Sequence, residues 1–545
     1  MKLAFSLAAG LALLAATPAV AQEVPAAAPR PAPKLLVVIS VDQLSADLFA
    51  EYRGQFSGGF ARLLSGGVFP SGYQSHAATE TCPGHSTILT GARPSRSGIV
   101  ANDWTDLGAE RADKTIYCAE DESIAGSSSS KYTVSDVHLK VPTLGEWMKA
   151  VNPATRVVSV AGKDRAAVMM GGHKVDELWW WDGKQLASYA GRAEPAPVTQ
   201  MKAGIAARIA QAQEPMEMPP FCQARSRAIA VTPTMRIGDG RFARAAGDAR
   251  AFRASPEFDE SILALGAGLA DAMKLGQGPQ TDLLIVGASA TDYIGHSLGT
   301  EGSEMCLQMF ALDRSLGKLF ASLDESGVDY AVALTADHGG NDMPERQRDH
   351  AAPDAQRVDR TFSAGAIGKE IAARMGRADP VLVGGTFGDV YIDRTLTKAQ
   401  RAAVQAEAIQ RFGAHPQVYG VYTAAQIQAA PAPKGPPETW SMLDRAKASY
   451  FPGRSGDLVV ALRPRVTPIP VPGPGYVATH GSFWDYDRRV PILFWRKGMT
   501  GFEQPLSVET VDIAPTLAGL IGLKVPVVID GRCLDLDAGP GTTCG

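Results

Sequence analysis

Long apolar runs recur along the chain and alternate with segments in which apolar residues return every three or four positions. Continuous apolar runs are typical of buried parallel strands, and the wider spacing indicates amphipathic helices. The runs predict strands at residues 35–41, 156–161, 282–287, 330–335, 457–462 and 490–495, and the spacing predicts helices at 260–275 and 308–324. Alternation of strand and helix predicts an α/β fold with a doubly wound, mostly parallel sheet flanked by helices.

The stretch from about residue 166 to residue 278 is less regular than its surroundings. It contains three consecutive tryptophans, Trp179, Trp180 and Trp181, and a Met/Pro-rich patch near Met216. We expect an inserted cap region that folds over the edge of the sheet. The tryptophans either pack inside this insertion or line the mouth of a cleft, and the sequence leaves both interpretations open. Residues 22–34 form a Pro/Ala linker, and residues 35–545 form the main domain.

The N-terminus has the three parts of an export signal. Lys2 supplies positive charge, residues 3–16 are apolar, and Ala19-Val20-Ala21 is a small-residue cleavage site. We predict a signal peptide over residues 1–21, cut before Gln22, and a periplasmic or secreted protein. The alternative is an uncleaved membrane anchor, although the apolar run is shorter than the ~20 residues that a span needs. No later run is long enough to span.

Net charge and cysteine count limit the partners and the compartment. The 53 basic and 57 acidic residues give a net charge of −4, so no basic patch indicates a nucleic-acid partner. We expect a monomer. Export permits disulfides among the six cysteines, and Cys533 with Cys544 is the first predicted pair because the two close a short loop. Cys82 is interpreted as a structural thiol or disulfide.

Several predicted strands end in groups that bind divalent metals. Asp42 follows the first strand, Asp337 and His338 follow the strand at 330–335, and Asp292 with His296 follows the strand at 282–287. The carboxyl ends of parallel strands meet at one edge of a sheet, where α/β proteins bind ligands. His480, beside a glycine, adds a further ligand. Carboxylate and imidazole groups at this density suit zinc or a similar ion and predict a two-metal hydrolase. Each residue alone could instead be a helix cap or a structural histidine.

A threonine-rich loop and two later segments supply groups that suit phosphoryl chemistry. Thr79 and Thr81 precede a predicted helix that passes through His85 and ends at Gly91. A helix N-terminus favours phosphate, and metal coordination would activate a threonine hydroxyl, although Thr81 could equally be a simple N-cap.

Three further residues suit the same chemistry. Lys163 and Arg165 follow the strand at 156–161 and could clamp phosphoryl oxygens or form a solvated basic turn. Asn102 could donate to such an oxygen or simply form a turn.

The order of these motifs resembles the alkaline phosphatase superfamily, most closely the PafA-like phosphomonoesterases that use a threonine nucleophile. The resemblance extends from Asp42 to the C-terminal tail and implies an alkaline-phosphatase-like catalytic domain over residues 35–545. It implies that Thr81 is the nucleophile and that Asn102, Lys163 and Arg165 contact the phosphoryl group. It also implies two zinc ions, and a structural role for His85. The two implied ligand sets are Asp292, His296 and His480, and Asp42, Thr81, Asp337 and His338.

The expected activity is hydrolysis of small phosphate monoesters through a phosphothreonine intermediate, by an exported alkaline phosphatase. A phosphodiesterase or nucleotide pyrophosphatase of the same superfamily is the main alternative, but two cations at the site favour a dianionic monoester. A non-catalytic zinc-binding protein is a third possibility. A sulfatase is disfavoured because the segment Cys82-Pro83-Gly84-His85 lacks the Cys-x-Pro-x-Arg pattern.

Overall fold

A computed structural model of the chain describes residues 31–350, 352–538 and 541–544. The predicted signal peptide and most of the predicted linker therefore lie outside the described residues. Residues 31–34 lead directly into the first strand. No helix among the described residues has the length and hydropathy needed to cross a membrane.

The strands follow the chain in this order: β1 Leu35–Val41, β2 Gly67–Tyr73, β3 Asp103–Thr105, β4 Thr115–Tyr117, β5 Val157–Ala161, β6 Glu177–Trp181, β7 Leu186–Ala187, β8 Ile229–Thr232, β9 Met235–Ile237, β10 Asp282–Ala288, β11 Tyr330–Thr335, β12 Gln356–Arg357, β13 Leu382–Gly384, β14 Gly388–Ile392, β15 Val418–Thr423, β16 Leu458–Leu462, β17 Val466–Thr467, β18 Arg489–Arg496, β19 Phe502–Glu503 and β20 Val508–Glu509.

The α-helices are α1 Ala46–Tyr52, α2 Gly59–Leu63, α3 Thr81–Thr90, α4 Pro94–Ser97, α5 Leu144–Val151, α6 Asp164–Gly171, α7 Ala196–Ile209, α8 Pro220–Gln223, α9 Ala249–Arg253, α10 Pro256–Ala272, α11 Ala290–Leu298, α12 Ser303–Glu325, α13 Pro344–Gln347, α14 Ala364–Arg374, α15 Lys398–Ala414, α16 Ala424–Ala429, α17 Met442–Ser449, α18 Asp485–Arg488 and α19 Ile513–Leu520. Three short 3₁₀ turns cover Arg53–Gln55, Pro437–Thr439 and Thr510–Asp512.

A ten-stranded sheet forms the centre of the molecule, in the order β19-β2-β18-β11-β1-β10-β5-β6-β7 with β20 also paired to β2. Strand β1 lies between β10 and β11 and is parallel to both, and β5 and β6 continue the parallel half. Every residue of β1, β5, β10 and β11 is buried, as continuous apolar runs predict. Helices α10 and α12 pack together beside β10. The predicted α/β fold, with its mostly parallel sheet, is confirmed.

Two features of the sheet differ from the simple alternation of strand and helix. Strand β18 was expected among the α/β strands and is antiparallel to β11, which leaves β2 and β18 as an antiparallel extension. The predicted strand at 457–462 is present as β16 but lies in a separate four-stranded sheet, β13-β14-β16-β15, which we call the accessory sheet. Its pairings are antiparallel, and α14 and α15 cover a hydrophobic core of its own. An apolar run alone does not specify which sheet a strand joins, because a strand can be buried on both faces in the central sheet or in the accessory sheet.

The segment 166–278, expected to be an insertion, is divided between the central sheet and a peripheral part. Strands β6 and β7 extend the central sheet, and α10 packs on β10. The tryptophans of β6 are 3–5% exposed, so Trp179, Trp180 and Trp181 pack in the core and do not line an open cleft. The hairpin β8–β9 lies apart from the central sheet.

Three disulfides link the six cysteines. The predicted Cys533–Cys544 pair is present, and Cys222–Cys306 ties α8 to α12. Cys82, expected to be structural, pairs with Cys118, and both residues are fully buried. This third bridge joins the start of α3 to the residue after β4.

Candidate active site and metal centre

The acidic and imidazole side chains predicted as ligands converge beyond the carboxyl ends of β1, β10 and β11. In the parallel register, Val41 lies opposite Ala288 and Ser40 lies opposite Thr335, so the residues that follow these strands emerge side by side. Asp42 follows β1, and Asp337 and His338 follow β11. Asp292 and His296 lie one turn apart on α11, which follows β10.

Two overlapping groups of side chains place ligand atoms within 4.8 Å of one another. One contains Asp42, Asp337 and His338, and the other contains Asp292, His338 and His480. The rings of His338 and His480 stack with centroids 3.6 Å apart, so the two groups adjoin. The Nε2 atom of His296 lies 3.2 Å from Asp292 Oδ1. The structure therefore brings all six predicted Asp and His ligands together, with His338 between the two groups.

The histidine rings are oriented so that one nitrogen of each faces the carboxylates. The Nδ1 atoms of His296, His338 and His480 lie 2.8, 2.8 and 2.9 Å from the backbone carbonyls of Ala478, Gly339 and Thr79. A carbonyl can only accept, so each Nδ1 carries the hydrogen and donates it, and a neutral ring keeps a lone pair on Nε2.

These lone pairs face acceptor oxygens. His338 Nε2 lies 3.2 Å from Asp337 Oδ2, and His480 Nε2 lies 3.4 Å from Asp292 Oδ1. Burial lowers the pKa of His338 to about 3 and also lowers the pKa of His480, so both rings are neutral at physiological pH. An acceptor that faces an acceptor across 3.2–3.4 Å is unfavourable unless a cation binds both. The residues present therefore fit a bound divalent metal.

The charge balance of the site leads to the same conclusion. Three buried carboxylates, Asp42, Asp292 and Asp337, share the site, and Lys163 Nζ lies 2.6 Å from Asp42 and 2.5 Å from Asp292. Burial and the neighbouring Asp337 carboxylate raise the pKa of Asp42 well above its usual range, against the opposing effect of Lys163. One lysine does not neutralise three buried carboxylates, whereas divalent cations would.

Thr81 is the first residue of α3, and its side chain faces the cationic side chains of Lys163 and Arg165. The N-cap of this helix is Glu80, so Thr81 does not cap it, and its Oγ1 lies 3.5 Å from both Lys163 Nζ and Arg165 Nη2. The helix ends at Gly91 in a left-handed conformation with φ of 65°, as its sequence predicts. Thr79, the other candidate threonine, donates its hydroxyl to the carbonyl of Ser482 at 2.7 Å and is turned away.

Asn102 is held against the start of α3 by three hydrogen bonds. Its Oδ1 accepts from the N–H of Cys82 at 2.8 Å, its own N–H donates to the Glu80 carboxylate at 2.6 Å, and its carbonyl accepts from the N–H of Cys118 at 2.8 Å. Both halves of the Cys82–Cys118 disulfide therefore bond to Asn102. Since Oδ1 is engaged, the side-chain NH₂ is the group left to donate to a substrate oxygen.

His85 supports Asp337 from behind. Its Nδ1 lies 2.9 Å from the carbonyl of Thr81 and 3.2 Å from Asp337 Oδ2, and the ring is fully buried. It lies outside both ligand groups, consistent with the structural role predicted for it.

Sequence reasoning missed the groups that position Arg165. The Tyr117 hydroxyl donates to Asp164 Oδ1 at 2.7 Å and accepts from Arg165 Nη1 at 3.3 Å, while Tyr132 donates to Asp164 Oδ2 at 2.8 Å. Burial and the Asp164 carboxylate raise the pKa of Tyr117 well above its usual value, so the hydroxyl keeps its proton in alkaline solution. The one signal in the sequence was that Tyr117 precedes Cys118. That signal would have placed Tyr117 near Thr81 only if the pairing of Cys118 with Cys82 had been known.

Comparison with known proteins places this site in a family. The sequence model of the type I phosphodiesterase / nucleotide pyrophosphatase family matches residues 36–483, which include every ligand and cation described above. The chain belongs to this family.

Two curated relatives that cover most of the chain are named alkaline phosphatases. The chain is 57% identical to alkaline phosphatase PhoK of Sphingomonas sp. over 94% of its own length and 92% of that protein. It is 48% identical to alkaline phosphatase PhoD of Zymomonas mobilis over 94% and 89% of the two chains. The crystal structure of alkaline phosphatase PafA shares the fold, with a TM-score of 0.79 and 24% identity over 93% of this chain and 99% of that one.

Proposed function

We propose that the protein is an exported alkaline phosphatase that hydrolyses phosphate monoesters through a covalent phosphothreonine on Thr81. The observation that carries the proposal is the position of two cations, Lys163 and Arg165, each 3.5 Å from the Thr81 hydroxyl. A monoester dianion carries its charge on three terminal oxygens, and two fixed cations match that charge. The names of the relatives at 57% and 48% identity support the same activity.

The proposed cofactor is a pair of zinc ions. The acceptor-lined groups described above support metal binding, and imidazole with carboxylate is a donor set that zinc accepts. We assign the first ion to Asp292, His296 and His480, and the second to Asp42, Thr81, Asp337 and His338. Bound there, the ions would lower the pKa of the threonine hydroxyl and offset charge on the leaving oxygen.

The protein's own residues would carry the reaction in two displacements. Oγ1 of Thr81 loses its proton to solvent and attacks phosphorus as the bond from phosphorus to the leaving oxygen breaks, and the alcohol departs with a proton from solvent. Arg165, Lys163 and the Asn102 amide hold the phosphoryl oxygens in both steps. Water then attacks phosphorus in the phosphothreonine, releases inorganic phosphate and restores the Thr81 hydroxyl.

Phosphodiester hydrolysis is the second candidate because the family model carries that name. A diester has one negative charge and a second ester group where a monoester has a charged oxygen. Lys163 is 3% exposed and is paired with Asp42 and Asp292. A monoester would place a charged phosphoryl oxygen near this buried lysine. A diester would place an uncharged ester group there and would lose that favourable contact. This arrangement favours the monoester.

The proposal is tested by comparing an aryl monoester with the corresponding diester at alkaline pH. The wild-type protein should prefer the monoester. Arg165→Ala should lower kcat/KM for the monoester by about 10²-fold, the loss expected when one preorganised donor is removed, and should affect the diester much less. Lys184→Ala, which removes a cation from an exposed turn, serves as the control. A wild-type preference for the diester would refute the proposal.

Two further experiments address the nucleophile and export. Thr81→Ala should abolish turnover and the incorporation of labelled phosphate into the protein. Metal should stay bound, because the six proposed Asp and His ligands remain. Retained labelling would move the nucleophile elsewhere. Export predicts that the mature protein, purified from periplasm or medium, begins at Gln22, and N-terminal sequencing tests this.

A further inference from the structure

A cavity of about 240 Å³ lies between the β3–β4 hairpin and the accessory sheet, beside the candidate active site. Three residues of its wall are Glu80, Asp103 and Gly481, which directly follow or precede Thr81, Asn102 and His480 in the chain. Consecutive Cα atoms are ~3.8 Å apart, so the cavity lies within one residue of three site residues. These are the proposed nucleophile, the amide proposed to donate a hydrogen bond to the phosphoryl group, and a proposed metal ligand.

The accessory sheet supplies the opposite wall. Phe387 lies in the turn between β13 and β14, and its ring tip comes within 3.3 Å of the position that a side chain on Gly481 would occupy. The side chain of Glu80 is 3.6 Å from the same position. Phe387 therefore reaches across from the accessory sheet to the rim of the active site. Gly481, with φ of 101°, has no side chain to separate the two.

Five aromatic residues line the cavity, and all of its charged lining residues are acidic. Besides Phe387, the aromatic residues that line it are Trp104, Tyr391, Tyr450 and Phe483. Glu80, Asp103 and Asp389 contribute carboxylates, and no lysine, arginine or histidine is among the described lining residues. Asp389 accepts a hydrogen bond from the N–H of Gly456 at 2.7 Å, and none of the three carboxylates forms an ion pair within the described chain. The positive charge of Arg165, which belongs to the phosphoryl site, acts on both Glu80 and Asp103.

We propose that this cavity receives the leaving group of the substrate and selects monoesters whose leaving group is aromatic or apolar and neutral or cationic. The inference rests on the proposed phosphatase function and names its substrate class. An apolar cavity of roughly 150 Å³ can bind benzene, so about 240 Å³ accommodates one ring with a short substituent. Aromatic faces attract cations and the carboxylates add to that attraction, whereas an anionic substituent meets only like charge.

The test uses three aryl phosphates that differ only in the para substituent: aminomethyl, methyl and carboxyl. Intrinsic reactivity differs among them, so the quantity compared is the change in the aminomethyl-to-carboxyl ratio of kcat/KM between wild type and variant. Asp389→Asn keeps an acceptor for Gly456 and removes one charge. It should lower the ratio by about five- to tenfold. Asp393→Asn removes an equal charge just beyond the same strand, outside the cavity, and should leave the ratio unchanged.

Phe387→Ala tests the aromatic wall. It should lower kcat/KM for the methyl ester by about three- to tenfold, the range expected for a lost aromatic contact, and should leave the inhibition constant of inorganic phosphate unchanged because phosphate has no leaving group. Val383→Ala, on an exposed position of the same hairpin, is the matched control.

The outcomes separate this inference from the proposed function. The cavity assignment would be overturned by an unchanged aminomethyl-to-carboxyl ratio in Asp389→Asn. It would also be overturned if Phe387→Ala weakened inhibition by phosphate as much as it lowered kcat/KM for the aryl esters. In either case, hydrolysis of the methyl ester by the wild type would still support the phosphatase function. Absence of hydrolysis of all three esters by the metal-loaded wild type would instead overturn the proposed function, and with it this inference.

Discussion

Replacing Tyr117 by phenylalanine removes one hydroxyl that lies between Asp164 and Arg165. That hydroxyl donates to Asp164 at 2.7 Å and accepts from Arg165 at 3.3 Å. Arg165 keeps its backbone N–H bond to Asp164 at 2.7 Å, so the helix start is retained and mainly the guanidinium loses a partner. The expected effect is therefore on the position of the Arg165 guanidinium near Thr81.

The magnitude follows from the two bonds that are lost. A hydrogen bond to a charged group contributes about 1.5–3 kcal/mol, and the 3.3 Å bond to Arg165 belongs at the weak end. About 1.4 kcal/mol of lost transition-state stabilisation corresponds to about tenfold in rate. We expect kcat/KM for a monoester to fall about tenfold. The free energy of unfolding should fall by about 1–3 kcal/mol, because Asp164 loses a buried donor.

Tyr132→Phe is the matched control for this variant. It removes the other hydroxyl that donates to Asp164, at 2.8 Å, but that hydroxyl does not bond to Arg165. Its stability loss should be similar, with kcat/KM changed less than about threefold. The assay is steady-state hydrolysis of an aryl monoester beside urea unfolding of both variants. Equal effects of the two substitutions on kcat/KM would refute the reasoning, since Arg165 would then not depend on Tyr117.

Three other perturbations have expected outcomes. Replacing Cys82 and Cys118 by alanine should lower the free energy of unfolding by about 4 kcal/mol, and replacing Cys533 and Cys544, which close a shorter loop, should lower it by about 3 kcal/mol. Urea unfolding measures both losses, and equal losses would contradict this prediction. Burial and the charge of Arg488 lower the pKa of His76 to about 3, so the folded state loses stability as pH falls from about 6.5 towards 3; His76→Leu should remove that share of the acid sensitivity, and an unaltered pH slope would exclude it. Exhaustive chelation should abolish phosphate release and lower Tm, because the buried carboxylates lose their counterions; zinc should restore both, and a fully active chelated protein would rule out a metal mechanism.

Three of the proposed ligands were predictable because strand ends are visible in sequence. Asp42, Asp292 and Asp337 each terminate or closely follow an apolar run, and parallel strands place their carboxyl ends together. His480 follows no predicted strand, so this rule does not bring it to the site. The strand-end rule does not assign His338 to one ligand group, because its ring stacks on His480 and lies between both groups.

The accessory sheet and the Tyr117–Asp164–Arg165 contacts were not predictable in the same way. Strand β16 has the same apolar pattern as β1 but pairs with β14 and β15, and pairing partners distant in sequence leave no mark in local periodicity. Tyr117 reaches Arg165 from 48 residues away. A tyrosine that ends a three-residue strand resembles any core residue until the fold brings the arginine to it.

The roles proposed for Lys163 and Arg165 would account for monoester hydrolysis by a member of a family named for diester hydrolysis. Five of the six proposed Asp and His ligands follow β1 or β11 or lie on α11, so the central sheet and the helix after β10 position them. Lys163 lies in the short connection between β5 and α6, and Arg165 lies in the first turn of α6, outside the sheet. Lys163 also pairs with Asp42 and Asp292, so the residue proposed to meet the extra charge of a monoester also neutralises two of the proposed ligand carboxylates. A neutral residue at that position would lose both contacts at once, and substrate charge and metal-site charge are therefore coupled through one side chain.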